Sequence, residues 1–337
     1  MARPPVVDGI PYLRTGRAEL TDRVSGLLAR GDVDAARVAL LADADDWWGE
    51  DSPPPEQLAR VAHAGTLREA MDLLGMGRVG DYFAHRWSDP TYLSGLALLQ
   101  AHWPGDRPVV EVACGTGHFL RELARRGCPD LLGVDVVWAK LWLAQRFVCP
   151  SARYVCADLA TATVEVPAPA YVLCHDALYF LRDKPAAVAA MRRLAGEGGT
   201  VVVGHTHVAD RISAGEPWTA RDYADLLGTG LLYDDDELTR ALLEGRPPVP
   251  APAAALEGSE AVALVAGDPL GRGPDLAEPL PPLVPNPLYV DGVLTWPSER
   301  YAQEYAPRST YLPARLPDPL PADAARRRLL VDLPERW

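Results

Sequence analysis

The chain of 337 residues has a formal charge of −13 and a pI near 5.0, with 48% apolar and 23% charged residues. This is the balance of an ordinary globular protein long enough to bury a sizeable core. It contains no apolar run near the ~20 residues that span a bilayer, and its acidity disfavours phosphate backbones as partners.

The opening Met-Ala-Arg-Pro-Pro lacks the apolar stretch of a secretory signal. Residues 6–13 then read as an extended segment. Residues 18–41 carry apolar residues at helical spacing, interrupted by Gly31-Asp32, which predicts a helical hairpin with Asp32 or Asp34 as second N-cap. An acidic, tryptophan-containing loop over 43–51 and Pro53-Pro54-Pro55 close it, and one further helix is expected from 55 or 56 to about 74. From 76 to 210 short β-branched runs alternate with helical stretches. Strands are expected at 109–113, 131–134, 153–156, 171–174 and 200–204, with helices at 119–126, 139–147 and 185–194. That alternation predicts βαβ units and a parallel sheet covered on both faces. Beyond residue 211 lie more than half of the 33 prolines, so regular structure should be sparse. Exceptions are a strand-like run at 261–266 and a strand or hairpin at 289–296 turning on Asp291-Gly292. The expected organisation is a helical region over 1–75, a core over 76–210 and a proline-rich cap over 211–337. The five cysteines, all between 114 and 174, form no C-x-x-C pair. They read as reduced thiols of a cytoplasmic protein rather than as a structural zinc site.

The informative stretch is Val109-Val110-Glu111-Val112-Ala113-Cys114-Gly115-Thr116-Gly117-His118, a strand followed by a tight glycine turn and a helix start. Glycines at 115 and 117 permit positive φ and close approach of a ligand to the backbone. Asp135 follows the second strand about 20 residues on, where a carboxylate can accept bonds from the two hydroxyls of a ribose. Asp158 ends the third strand, where it can meet a purine edge. A dinucleotide fold asks for a third glycine, and Leu120 stands in its place, which argues against a nicotinamide oxidoreductase.

Taken together, these stations resemble the class I S-adenosylmethionine-dependent methyltransferases, and the resemblance covers about residues 105–205. It implies a Rossmann-like α/β fold, with a mostly parallel seven-stranded sheet and helices on both faces. It also implies S-adenosyl-L-methionine as cofactor. Carried over residue by residue, it places Glu111, Ala113, Gly115, Gly117 and His118 at the methionine and ribose part, Asp135 and Val136 at the ribose, and Asp158 and Leu159 at the adenine. Tyr82 and Arg86, just upstream, are expected either to close on the methionine carboxylate or to pack in the core. A weaker similarity links residues 6–13 to the segment after a small zinc ribbon in some bacterial methyltransferases. The cysteines of such a ribbon are absent, so it implies no metal.

Methyl transfer asks for in-line alignment and removal of a proton from the nucleophile. His175 and Asp176 follow the fourth strand, and His205 and His207 end the fifth on one side of an extended chain. These four are the candidates for the acceptor side, the histidines because they titrate near neutrality. Two histidines with Asp210 do not by themselves make a metal site, and none is expected. Tyr289, Trp296, Tyr301, Tyr305 and Tyr311 either wall an acceptor pocket or pack the cap. Asp234-Asp235-Asp236 reads as a solvated turn before a helix over 237–244, and Arg326-Arg327-Arg328 is too short and too flanked by acids for a nucleic-acid patch. The reading is methyl transfer to an oxygen or nitrogen of a small organic acceptor. The alternatives are a peptide or protein acceptor and a non-catalytic module that binds the nucleoside.

Overall fold

The short β-branched runs of the middle region are the central strands of a seven-stranded sheet in the computed structural model, which describes residues 3–44, 52–209, 215–267 and 274–337. The strands are β1 (Val109–Val112), β2 (Leu131–Asp135), β3 (Arg153–Cys156), β4 (Tyr171–His175), β5 (Thr200–His207), β6 (Leu232–Asp234) and β7 (Ala261–Ala266). Their order across the sheet is β3-β2-β1-β4-β5-β7-β6. The first five are parallel, and β7 runs antiparallel between β5 and β6. Every residue of β1, β2 and β4 is buried, as expected for strands covered on both faces. The order reverses between β1 and β4, the position at whose carboxyl edge such sheets bind ligands.

Thirteen α-helices lie among the described residues: α1 (Ala18–Ala29), α2 (Val33–Leu41), α3 (Pro55–Val61), α4 (Leu67–Leu73), α5 (Gly77–His85), α6 (Pro90–His102), α7 (His118–Arg125), α8 (Trp138–Leu143), α9 (Lys184–Ala195), α10 (Ala220–Leu227), α11 (Asp235–Glu244), α12 (Ala253–Leu256) and α13 (Glu299–Tyr305). The hairpin expected from Gly31-Asp32 is α1 and α2, and the Asp32 carboxylate accepts from Ala35 N–H. The single helix expected over 55–74 is instead two. Thr66 caps α4 by accepting from Glu69 N–H while Glu69 reaches back to Gly65 N–H, and this reciprocal cap starts a new helix. The helix expected over 139–147 is α8 followed by a π-turn at Ala144–Val148. Of the acidic loop over 43–51, Asp43 accepts from Tyr12 Oη, Arg14 and Arg17, and residues 45–51 lie outside the described residues.

The N-terminal segment lies along the free edge of β3, where Tyr12 bridges Cys156 in parallel and Leu13 N–H donates to its carbonyl. At the other end, Leu330–Val331 pairs with Val284–Pro285, and Tyr289–Val290 with Val293–Leu294. Asp291 (φ 50°) and Gly292 (φ 74°) supply the two positive-φ positions of that second hairpin's turn. The cap holds on to the core through ion pairs: Asp332 takes both Arg121 and Arg125 of α7. Arg328 is buried, donating to the Leu276 carbonyl. No helix among the described residues is long and apolar enough to cross a membrane.

Candidate functional site

The glycine turn after β1 has the backbone its sequence requires. Gly115 sits at φ 54° and Gly117 at φ 81°, and even Ala113 is forced to φ 54°. A Cβ on Gly115 would stand 2.7 Å from Phe83 Cε1, so the α5 aromatic lies directly on the turn. Asp135, at the end of β2, accepts from Gly115 N–H through one carboxylate oxygen and from Val137 N–H through the other, each at 2.9 Å. This carboxylate is thus fixed by the turn it faces. Val136, next along, is half-buried. Asp158 is exposed and holds its own loop through Ala160 N–H, with Leu159 buried beside it.

Glu111 is buried in the middle of β1, and its Oε2 has no partner. Burial pushes its carboxyl up to about 8, against the pull of Arg86. His118 opens α7 with its Nε2–H donated to the Phe83 carbonyl at 2.8 Å. Burial, then the charge of Arg86, brings it down to about 3, so it is neutral.

Tyr82 and Arg86 take a position of their own. The Tyr82 hydroxyl donates to Asp176 Oδ2 at 2.5 Å, and Arg86 Nη1 reaches the same oxygen at 3.3 Å while stacking over the Tyr82 ring. Tyr179 donates to the other oxygen of Asp176 at 2.7 Å. Asp176 itself sits at φ 57°, just beyond β4. Three neighbouring strand ends therefore carry a non-glycine residue in the left-handed region: Ala113, Asp176 and His205, the last at φ 43°. Such backbone persists only where the surroundings enforce it, and it gathers at functional sites.

His205 and His207 face this carboxylate. A bulge between Val203 and Thr206 shifts the β5–β7 register and brings the two rings to 5.0 Å, centroid to centroid. Donor atoms of Asp176, His205 and His207 all lie within 4.8 Å of one another. Each histidine uses Nδ1 elsewhere: His205 donates to Asp235 Oδ2 at 2.8 Å and His207 to the Glu260 carbonyl at 3.2 Å. Burial disfavours charge on His205, but the Asp235 carboxylate outweighs it and holds this imidazole above its ordinary pKa. Burial, then the charge of His205, depresses His207. His175 lies behind them, donating through Nε2–H to the Thr91 carbonyl, and burial drives it down to about 3. Asp210, considered beside the histidines, lies outside the described residues.

Asp235 is the residue that sequence reasoning misplaced. Expected in a solvated turn, it starts α11 while 1% exposed, behind His205, with Arg308 of the cap donating to the same Oδ2. Arg308 also reaches Asp236 at 2.7 Å and Glu260 at 3.7 Å. The only signal in the sequence was the N-cap pattern at Asp234, which does bond Asp236 N–H and Glu237 N–H. The cap tyrosines divide. Tyr301 and Tyr305 are buried against α5, Tyr305 stacking on Tyr82 at 6.4 Å, and Tyr311 donates to the Ser88 carbonyl. Tyr289 and Trp296 belong to a small satellite core with Leu288, Leu312 and Leu329.

Residues 109–199 match the family described as Methyltransferase domain. An uncharacterized methyltransferase of Mycobacterium tuberculosis is 36% identical over 111 residues, which cover 32% of this chain and 55% of that protein. The Ubiquinone biosynthesis O-methyltransferase of Methylococcus capsulatus is 31% identical over 149 residues, covering 39% and 62%. The chain thus spans little more than half the length of the curated relatives it matches. A solved structure, a TehB-like SAM-dependent methyltransferase from Corynebacterium glutamicum, is similar at 21% identity and a TM-score of 0.39, over 52% of this chain and 86% of that one.

Proposed function

We propose that this chain, whose core belongs to the class I S-adenosylmethionine-dependent methyltransferases, moves a methyl group to an oxygen or nitrogen of a small organic acceptor. The observation that carries the proposal is a juxtaposition at one sheet edge. The Gly115–Gly117 turn with Asp135 stands at β1 and β2, and the polar group of Asp176, His205 and His207 stands at β4 and β5. The first half fits the methyl donor. Each Asp135 oxygen, having accepted one N–H, keeps a lone pair for a ribose hydroxyl. Glu111 and His118 lie under the turn, and Asp158 with Leu159 stands at the adenine end.

When bound, the donor supplies an electrophilic sulfonium methyl. The chain's part is to align the acceptor with it and to receive the proton the acceptor loses. Asp176 is clamped by Tyr82, Arg86 and Tyr179, so it cannot swing away from the acceptor. The cap contributes α13 over α5, which favours an enclosed, small acceptor over a folded protein surface. Titration calorimetry with S-adenosylhomocysteine, with NADH as control, tests the donor half. Micromolar binding of the homocysteine compound alone is expected. No binding by demonstrably folded protein would sink the reading.

A further inference from the structure

Resting on that reading, we propose that Asp176, His205 and His207 form a binding site for a divalent transition-metal ion, which presents an oxygen of the acceptor to the methyl donor. Two imidazoles and one carboxylate are a donor set suited to zinc, iron(II), cobalt(II) or manganese(II). Three protein ligands leave positions for an exogenous oxygen, as in catalytic rather than structural sites.

Four features point the same way. The donor atoms of the three residues lie within 4.8 Å of one another, so modest torsions bring them to the ~3.3 Å that separates ligands around a four-coordinate ion. Both histidines have their tautomer fixed for the purpose. With Nδ1–H given to Asp235 and to the Glu260 carbonyl, Nε2 is left to each ring as its ligand atom, that of His205 on loss of the proton Asp235 favours there. A carboxylate or carbonyl behind each ligating imidazole is the arrangement that orients it and raises its basicity. Asp176 is held at φ 57° by three donors, and among the described residues its Oδ1 carries the Tyr179 hydroxyl alone, leaving a lone pair.

Charge is the fourth. The carboxylates of Asp176, Asp235, Asp236 and Glu260 stand against the guanidinium groups of Arg86 and Arg308. Among the described residues, four carboxylates against two guanidinium groups and the His205 imidazole, whose charged form Asp235 favours, leave a surplus of negative charge for a divalent ion. Among the described residues it is the loop after β4 that delivers the carboxylate. The β5 bulge turns His205 toward it.

The test is equilibrium dialysis of metal-stripped full-length protein against cobalt(II), read by elemental analysis and by the visible ligand-field spectrum. One ion per chain is expected, with a spectrum of low-coordinate nitrogen and oxygen ligation. His207→Gln, at a half-buried position, is expected to weaken cobalt binding at least tenfold while leaving S-adenosylhomocysteine affinity within twofold. Asp235→Asn is expected to weaken it about 10–100-fold through His205. Wild-type protein that binds the homocysteine compound but no cobalt would overturn the metal site and leave the methyltransferase reading standing. So would binding that is indifferent to His207→Gln. Cobalt bound at these residues by protein that ignores the homocysteine compound would support the site and remove the reading it rests on.

Discussion

A carboxylate oxygen has two lone pairs, and at Asp135 each oxygen gives one to the backbone N–H groups of Gly115 and Val137. The same side chain therefore shapes the glycine turn and addresses whatever lies against it. Asp135→Ala is expected to lower S-adenosylhomocysteine affinity by about 1.5–3 kcal/mol, the range for hydrogen bonds to a charged acceptor. It should also lower the melting temperature, because two backbone donors lose their partner. Calorimetry and thermal unfolding on the same sample separate the effects, and unchanged affinity would place the ribose elsewhere. Tyr82 and Arg86 illustrate a different economy. Both were expected either on the donor's carboxylate or in the core; Arg86 is buried and Tyr82 packs against the core, and both also grip Asp176. A polar side chain between two half-sites is assigned by geometry that no local pattern contains.

At the scale of elements, what could be read in the sequence followed the range of the forces involved. The five parallel strands, the glycine turn and the Asp291-Gly292 hairpin rest on neighbours in the chain, and all stand where the sequence placed them within a residue or two, except that β5 runs three residues further, to His207. The split between α3 and α4 was missed because its reciprocal cap is a pattern of four residues inside a longer apolar period. The His205–Asp235 and Asp235–Arg308 contacts span 30 and 73 residues, and three consecutive aspartates resemble a surface turn unless their partner is known. The bulge in β5 was equally invisible, although Gly204 marks it: a Cβ there would stand 2.2 Å from His175 Nδ1. Gly204→Ala is thus expected to cost about 1–3 kcal/mol, the range for overpacking a closed core. Urea denaturation measures it, and a neutral result would show that the His175 ring can shift.

Across the whole molecule, buried titratable groups set how stability varies with pH. His85 and His102 are held down to about 4, and His118 and His175 to about 3, chiefly by burial. Their neutral forms stabilise the fold fully above the unfolded value of 6.5, and this contribution is lost as pH falls below it. Glu111 and Asp89 behave oppositely. Burial raises them to about 8 and about 7, so their contribution is present at low pH and is lost as pH rises from the unfolded carboxylate range toward those values. Between about pH 4.5 and 6.5 these four histidines act against two carboxyls and stability climbs, by roughly 2.7 kcal/mol per pH unit for the two surplus groups. Above 6.5 the histidines no longer contribute and the carboxyls pull it down. A stability maximum near pH 6.5 is expected in urea titrations, with the alkaline limb flattened in Glu111→Gln; a maximum elsewhere would show that other groups dominate.

The reach of Arg308 from the cap to Asp235, behind His205, also has a meaning in time. A ribosome delivers the glycine turn and Asp135 about 170 residues before it delivers Arg308, which at ~5–20 residues per second is roughly 10–35 s. For that interval the nascent chain carries the glycine turn and Asp135 while Asp235 still lacks its cation. The order of synthesis thus presents one side of this sheet edge well before the residue that backs the other.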